Sequence, residues 1–141
     1  AIGAQGVHVG QSDVGPHEAR ARLGPHAIVG LSCETVAQAA AADRSILDYV
    51  GLGPVFATST KPDHAPAMGL ADLAAARAAT PLPAVAIGGV QLANLQPVLA
   101  TGVDGVAVVS AICGQPDAHA ATRALAAAVA RHLTPPTETV S

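Results

Sequence analysis

The sequence predicts an α/β fold built on a parallel sheet, and three observations predict it. Five short runs rich in Val and Ile recur along the chain, with the continuous apolarity of strands buried on both faces. Alanine-rich segments of helical length alternate with them. Glycines and isolated polar residues collect where a strand run ends and the next helical segment begins. Strand–helix–strand alternation implies right-handed crossovers and parallel pairing.

The first strand is GVHVG, 6–10, followed by a helix over 17–23 behind Pro16, a residue suited to a first helical turn. AIVGLS, 27–32, is the second strand. Thr35 and Gln38 then form a T-x-x-Q capping box for a helix over 36–42. DYVGLGPVF, 48–56, is the third strand and precedes a helix over 70–79. AVAIGG, 84–89, is the fourth, and its helix over 92–100 stops before Thr101-Gly102. GVAVVSA, 105–111, is the fifth. A helix over 117–133, capped by Asp117, closes a domain spanning 1–133. The remaining TPPTETVS, 134–141, reads as a disordered tail. The opening AIGAQGVHVG reads as a helix end, a glycine turn and a strand; with Ala1 in place of Met, it predicts further polypeptide upstream.

Two architectures share this pattern. One is an open, doubly wound sheet. The other is the later part of a (β/α)8 barrel, whose full length is typically ~250 residues and as little as ~200. The GxGP ending of the third strand and the IGG ending of the fourth favour the barrel, although periodicity alone leaves both open.

Composition narrows the function. With 141 residues, half of them hydrophobic, the chain can build one real core. Tyr49 and Phe56 are its only aromatics, which excludes a base-stacking nucleic-acid platform. A net charge of -3 excludes a general basic surface for nucleic acid or an anionic membrane. No apolar run reaches transmembrane length. Cys33 and Cys113 form neither a CxxC motif nor a disulfide framework; they are expected as buried, reduced thiols in a cytoplasmic protein. An anionic ligand must therefore be held locally, by backbone amides, a metal or the few cations.

In a parallel α/β fold all the strand C-termini lie on one face, where ligands bind. Here those ends supply Gly10-Gln11-Ser12-Asp13, Ser32-Cys33-Glu34, Gly53-Pro54 with Thr58-Ser59-Thr60-Lys61, Gly88-Gly89, and Val109-Ser110. Lys61 is the only lysine. IGGV and VVSAI each open onto a turn or helix start, where glycine lets N–H groups approach an anion. In barrels, the loops after the seventh and eighth strands often form a phosphate site. Against this, Gly88 and Gly89 equally suit a tight turn, and Ser110 a cap. Asp13 suits a helix-start carboxylate or a Mg2+ ligand, magnesium typically taking one or two carboxylates plus phosphate oxygens and water. Asp63 and Asp72 are weaker candidates for a second carboxylate. Ser32 is free to face a ligand because Thr35 already caps the next helix. His8, within a strand, reads as a satisfied interior residue. No G-x-S-x-G elbow appears and the six histidines show no tight metal spacing.

GVHVGQSD, GLSCET, DYVGLGPVFATSTK, AVAIGGV and GVAVVSAI stand in the order and spacing of the thiamine-phosphate synthase family, and from about Gly6 to Val129 the chain resembles the later part of that family's barrel. The resemblance implies a TIM barrel of which only the later five βα units are present. It implies the condensation of hydroxymethylpyrimidine diphosphate with thiazole phosphate, giving thiamine phosphate and diphosphate, with Mg2+ as cofactor. By the same resemblance, Asp13 matches a Mg2+ ligand and Ser32 a contact to the pyrimidine substrate's diphosphate. Thr58 and Thr60, with Ser59 between them, match the hydroxyls that receive the thiazole phosphate. Lys61 matches the lysine that pairs with the departing diphosphate. Gly89, Val109 and Ser110 match backbone donors to the thiazole phosphate. Lys61 and Ser32 are the implied catalytic pair.

The chain departs from the family at Glu34, where members commonly carry His in a Ser-x-His. The family's pyrimidine pocket, a Gln/Arg/Lys cluster and an Asn-Asp pair, belongs to earlier strands. The chain alone is expected to be incomplete for activity, with open sheet edges prone to self-association. A thiazole tautomerase-like barrel protein and a non-catalytic phosphate-binding fragment are the alternatives.

Overall fold

A computed structural model describes residues 2–57 and 66–133. Thr58, Ser59, Thr60, Lys61 and Asp63, and the tail expected at 134–141, lie outside the described residues. The strands are β1 (Gly6–Val9), β2 (Ile28–Cys33), β3 (Tyr49–Leu52), β4 (Ala84–Ile87) and β5 (Gly105–Ala107). The helices are α1 (Pro16–Leu23), α2 (Val36–Ala40), α3 (Gly69–Ala79), α4 (Leu95–Leu99), α5 (Ser110–Cys113) and α6 (Ala118–Leu133), with a 3-10 turn Leu92–Asn94 before α4.

All pairings are parallel and the order is β1-β2-β3-β4-β5. This strictly sequential order lacks the reversal that defines a doubly wound sheet. Successive right-handed crossovers in one direction place the helices on a single face. Strand alternation shows that face directly. Val9, Val29, Cys33, Val50, Leu52, Ala84 and Ala86 are buried, in one cluster with Leu73, Ala76, Leu95, Val98 and Leu99 from the helices. Fully burying a side chain such as Leu52 contributes about 1.5–3 kcal/mol. The opposite phase carries His8, Gly30, Ser32, Tyr49 and Gly51, with Ile28 and Ile87 exposed.

The last three strands end well before the sequence expectation, whereas β1 ends one residue early, at Val9, and β2 one residue late, at Cys33. β3 stops at Leu52 because Pro54 has no N–H to continue the ladder. The chain nevertheless stays beside β4: Val55 N–H donates to Ile87 O at 2.9 Å and Phe56 N–H to Gly88 O at 3.0 Å. β4 ends at Ile87, since Gly88 and Gly89 turn away with φ of 97° and 67°, a region that glycine alone enters readily. β5 ends at Ala107, and Ser110 begins a helix rather than ending a strand. The segment over 92–100 divides into the 3-10 turn and α4. α1 includes Pro16 itself, and α2 ends two residues early, at Ala40. The capping box at α2 is shifted. Thr35 Oγ1 accepts from Gln38 N–H at 3.2 Å, but the Gln38 side chain accepts from Glu34 N–H at 2.6 Å. Asp117 caps α6 as expected, accepting from Ala120 N–H at 2.8 Å.

Charge organises the N-terminal edge of the sheet. Arg20 on α1 meets Asp48 at 2.8 Å and donates to Ile46 O and Ala27 O. Asp48 in turn accepts from Val29 N–H at 2.7 Å. Arg77 on α3 repeats the device with Asp104 at 3.3 Å and Gly102 O at 2.9 Å, and Asp104 accepts from Ala84 N–H at 2.8 Å. Among the described residues, no helix is long and apolar enough to cross a membrane.

Candidate functional site

Parallel pairing brings the C-terminal ends of β1 to β5 to one edge, and Asp13, Ser32, Gly89, Val109 and Ser110 all follow or end those strands. The ends of β1 and β2 are joined directly. Gln11 Nε2 donates to Ser32 O at 2.6 Å, fixing the backbone that presents the Ser32 hydroxyl. Asp13 folds back on its own turn, its Oδ2 accepting from Gly10 N–H at 2.7 Å. Its other oxygen has no protein donor among the described residues.

Ser32 is not isolated. Its Oγ lies 2.9 Å from His8 Nε2, and His8 Nδ1 lies 2.9 Å from the Tyr49 hydroxyl. Glycine makes this possible. A Cβ on Gly30 would fall 2.3 Å from Tyr49 Cζ and 2.5 Å from His8 Nδ1, so no other residue fits beneath the pair. Partial burial pushes the His8 imidazole below its usual range, which favours the neutral ring. A depression of about 250 Å³, lined by Gly6, Val7, His8, Ile28 and Tyr49, adjoins the group.

The ends of β4 and β5 supply backbone donors. Gly89 O accepts from Asn94 Nδ2 at 3.0 Å, and Asn94 Oδ1 accepts from Gln91 N–H at 2.8 Å, which braces the turn. The N–H groups of Gly89, Val109 and Ser110 donate to no backbone acceptor among the described residues. Because α5 is four residues long, these N–H groups, not a helix dipole, are what this edge offers an anion. The described residues on either side of 58–65 are tied together: Met68 and Gly69 N–H donate to Pro54 O and Val55 O at 2.9 and 3.0 Å.

For magnesium, Asp13 supplies a carboxylate with one oxygen already engaged, and the described residues hold no cluster of three His, Cys, Asp or Glu. Asp13 fits as one ligand of an ion otherwise held by phosphate and water. Cys33 is buried as expected, its thiol pushed up to about 11 by burial and then by Glu34, so it is inert at neutral pH. Cys113 is exposed, contrary to expectation, because it ends α5 on the surface.

Sequence reasoning took His8 as a satisfied interior residue; it is satisfied by Tyr49 and Ser32, but it lies on an exposed face of the sheet, and the part played by Tyr49 was missed. The signal was the strand phase. His8, Ser32 and Tyr49 all fall on the positions that alternate with buried Val and Leu, as do the glycines between them.

Comparison with known proteins bears on the family and the fold. A family model described as thiamine monophosphate synthase matches residues 1–112. A thiamine-phosphate synthase of Laribacter hongkongensis is 58% identical over 125 residues, covering 89% of this chain and 59% of that protein. One from Azorhizobium caulinodans is 46% identical with the same coverage. Among solved structures, a thiamine phosphate pyrophosphorylase from Pyrococcus furiosus superposes with a TM-score of 0.84 at 35% identity, covering 94% of this chain and 63% of that one. A 3-hexulose-6-phosphate synthase, at 24% identity and a TM-score of 0.63, shares the fold. The chain thus spans less than two thirds of the length of these relatives.

Proposed function

The chain belongs to the thiamine monophosphate synthase family, and from that premise we propose that it supplies the phosphate-handling part of a transferase joining hydroxymethylpyrimidine diphosphate to thiazole phosphate. The carrying observation is the edge itself: a hydroxyl near the end of β2 whose backbone is held by Gln11, and N–H groups at the ends of β4 and β5 without backbone acceptors among the described residues. These two kinds of donor suit two anionic substrates.

In this reading the Gly89, Val109 and Ser110 N–H groups, with Thr58, Ser59 and Thr60, hold the thiazole phosphate. Ser32 and Lys61 hold the diphosphate. The bond from the pyrimidine methylene to the diphosphate oxygen breaks, the thiazole nitrogen bonds to that methylene, and diphosphate leaves. Donors aimed at the leaving oxygen stabilise the charge that develops there, and binding both partners on one edge sets their orientation. Asp13 would hold Mg2+, which when bound neutralises phosphate charge. In this reading the five-stranded sequential sheet corresponds to the later part of a (β/α)8 barrel, in which the other strands would close the barrel and carry the pyrimidine pocket.

The test is direct. The protein carrying this chain, supplied with Mg2+ and both substrates, should release diphosphate and form thiamine phosphate. Failure to release diphosphate overturns the proposal.

A further inference from the structure

Three side chains on the glycine-rich face form a continuous line from strand to strand. Tyr49 begins β3, His8 lies in β1, and Ser32 lies near the end of β2. Both contacts are 2.9 Å, and the ring sits over the Gly30 and Gly51 backbones. A neutral imidazole has one donor and one acceptor nitrogen, so the two contacts must run in opposite senses. A phenol is the more acidic hydroxyl and the poorer acceptor; an aliphatic hydroxyl keeps two full lone pairs. The acceptor nitrogen therefore belongs opposite the phenol. We infer that Tyr49 O–H donates to His8 Nδ1, that His8 Nε2–H donates to Ser32 Oγ, and that the Ser32 proton is left to donate to a diphosphate oxygen at the strand ends.

The inference rests on the reading of Ser32 as a diphosphate contact and makes Tyr49 and His8 positioning residues for it. With the opposite order, the Ser32 proton would be spent on His8 Nε2, and the hydroxyl would turn a lone pair toward an anion. Among the described residues Ser32 Oγ has no other partner, so among them His8 decides which it presents. Gln11 holds the Ser32 backbone at 2.6 Å, which leaves the hydroxyl rotor as the remaining freedom.

Two measurements test it. Nitrogen-15 NMR of histidine-labelled protein near pH 7.5, with His8 assigned by loss of its signals in His8→Gln, should show a pyridine-type Nδ1 and a protonated Nε2. A protonated Nδ1 overturns the inference. Calorimetry with inorganic diphosphate and Mg2+ should show Ser32→Ala binding about tenfold weaker, the size of one hydrogen bond to a charged group. Tyr49→Phe should weaken binding about threefold and mix the tautomers, and His8→Gln, whose amide can still donate to Ser32, should bind better than His8→Ala. Unchanged affinity in Tyr49→Phe overturns the inference. If Ser32→Ala binds like the parent, Ser32 is not the contact; that outcome sinks the Ser32 assignment in the proposed function, and with it the donor role, whatever the tautomer.

Discussion

The two edges of the sheet are built from opposite materials. At the N-terminal edge, Arg20 with Asp48 and Arg77 with Asp104 tie helices to strand starts, and each carboxylate also takes a strand N–H. Charges there are consumed by the protein. At the C-terminal edge the groups singled out among the described residues are the Gly89, Val109 and Ser110 N–H, the Ser32 hydroxyl and the Asp13 carboxylate, several with capacity left over. The difference teaches how a small, weakly charged chain separates holding from binding. Its strong electrostatic pairs lie at the edge away from the proposed site, and the groups proposed to bind are mostly neutral dipoles fixed by backbone.

Substitutions can break that comparison. The largest effect is expected at Lys61, whose removal should lower turnover about a hundredfold, within the range for loss of a leaving-group stabiliser, while thiazole phosphate affinity changes less. Steady-state kinetics of Lys61→Ala beside calorimetry checks this, and an equal loss in both would contradict the division between lysine and hydroxyls. Next is Arg20→Ala at the opposite edge. Losing hydrogen bonds from a charged group to carbonyls should cost about 2 kcal/mol of stability. Urea unfolding should show that loss while diphosphate affinity of the folded fraction stays unchanged. Gly30→Ala should cost about 1–3 kcal/mol by forcing Tyr49 and His8 apart, and should also weaken diphosphate binding, which Arg20→Ala does not.

The smallest effect is also the most discriminating, because the edges should answer to different pH windows. The Val29 N–H, followed by Arg20, holds the Asp48 carboxyl below its usual 3.8. Its folded pKa is depressed, so its contribution is present above 3.8 and is lost as pH falls through the lower folded value. Partial burial holds His8 below its usual 6.5, so the folded state prefers the neutral ring. Stability should therefore begin to fall below about pH 6.5, as the unfolded chain takes up a proton that the folded one resists. Thermal melts across pH 4 to 8 should show that His8→Gln flattens the upper part of the curve and that Asp48→Asn leaves it unchanged.

Much of this was legible in the sequence for a physical reason. Buried parallel strands are continuous apolar runs, so all five appeared, and parallel pairing alone puts Asp13, Ser32, Gly89 and Ser110 on one edge. Strand ends were less legible. Apolarity continues through Val108 and Val109, whereas the backbone leaves the sheet after Ala107. The Arg–Asp clamps were invisible because their partners are distant in sequence and meet only once α1 and α3 have packed. Tyr49 was missed because an aromatic in an apolar run reads as core; only register shows that it shares a face with His8 and Gly30.

The clamps recur at an interval of two strands. Arg20 follows β1 and secures the start of β3 across β2; Arg77 follows β3 and secures the start of β5 across β4. The chain therefore carries a structural repeat. Each period closes on itself before the next begins, a natural unit of cooperative opening. The Val29 and Ala84 amides, each locked by its clamp's aspartate, mark the two units, and the order in which they exchange with deuterium would report which period opens first.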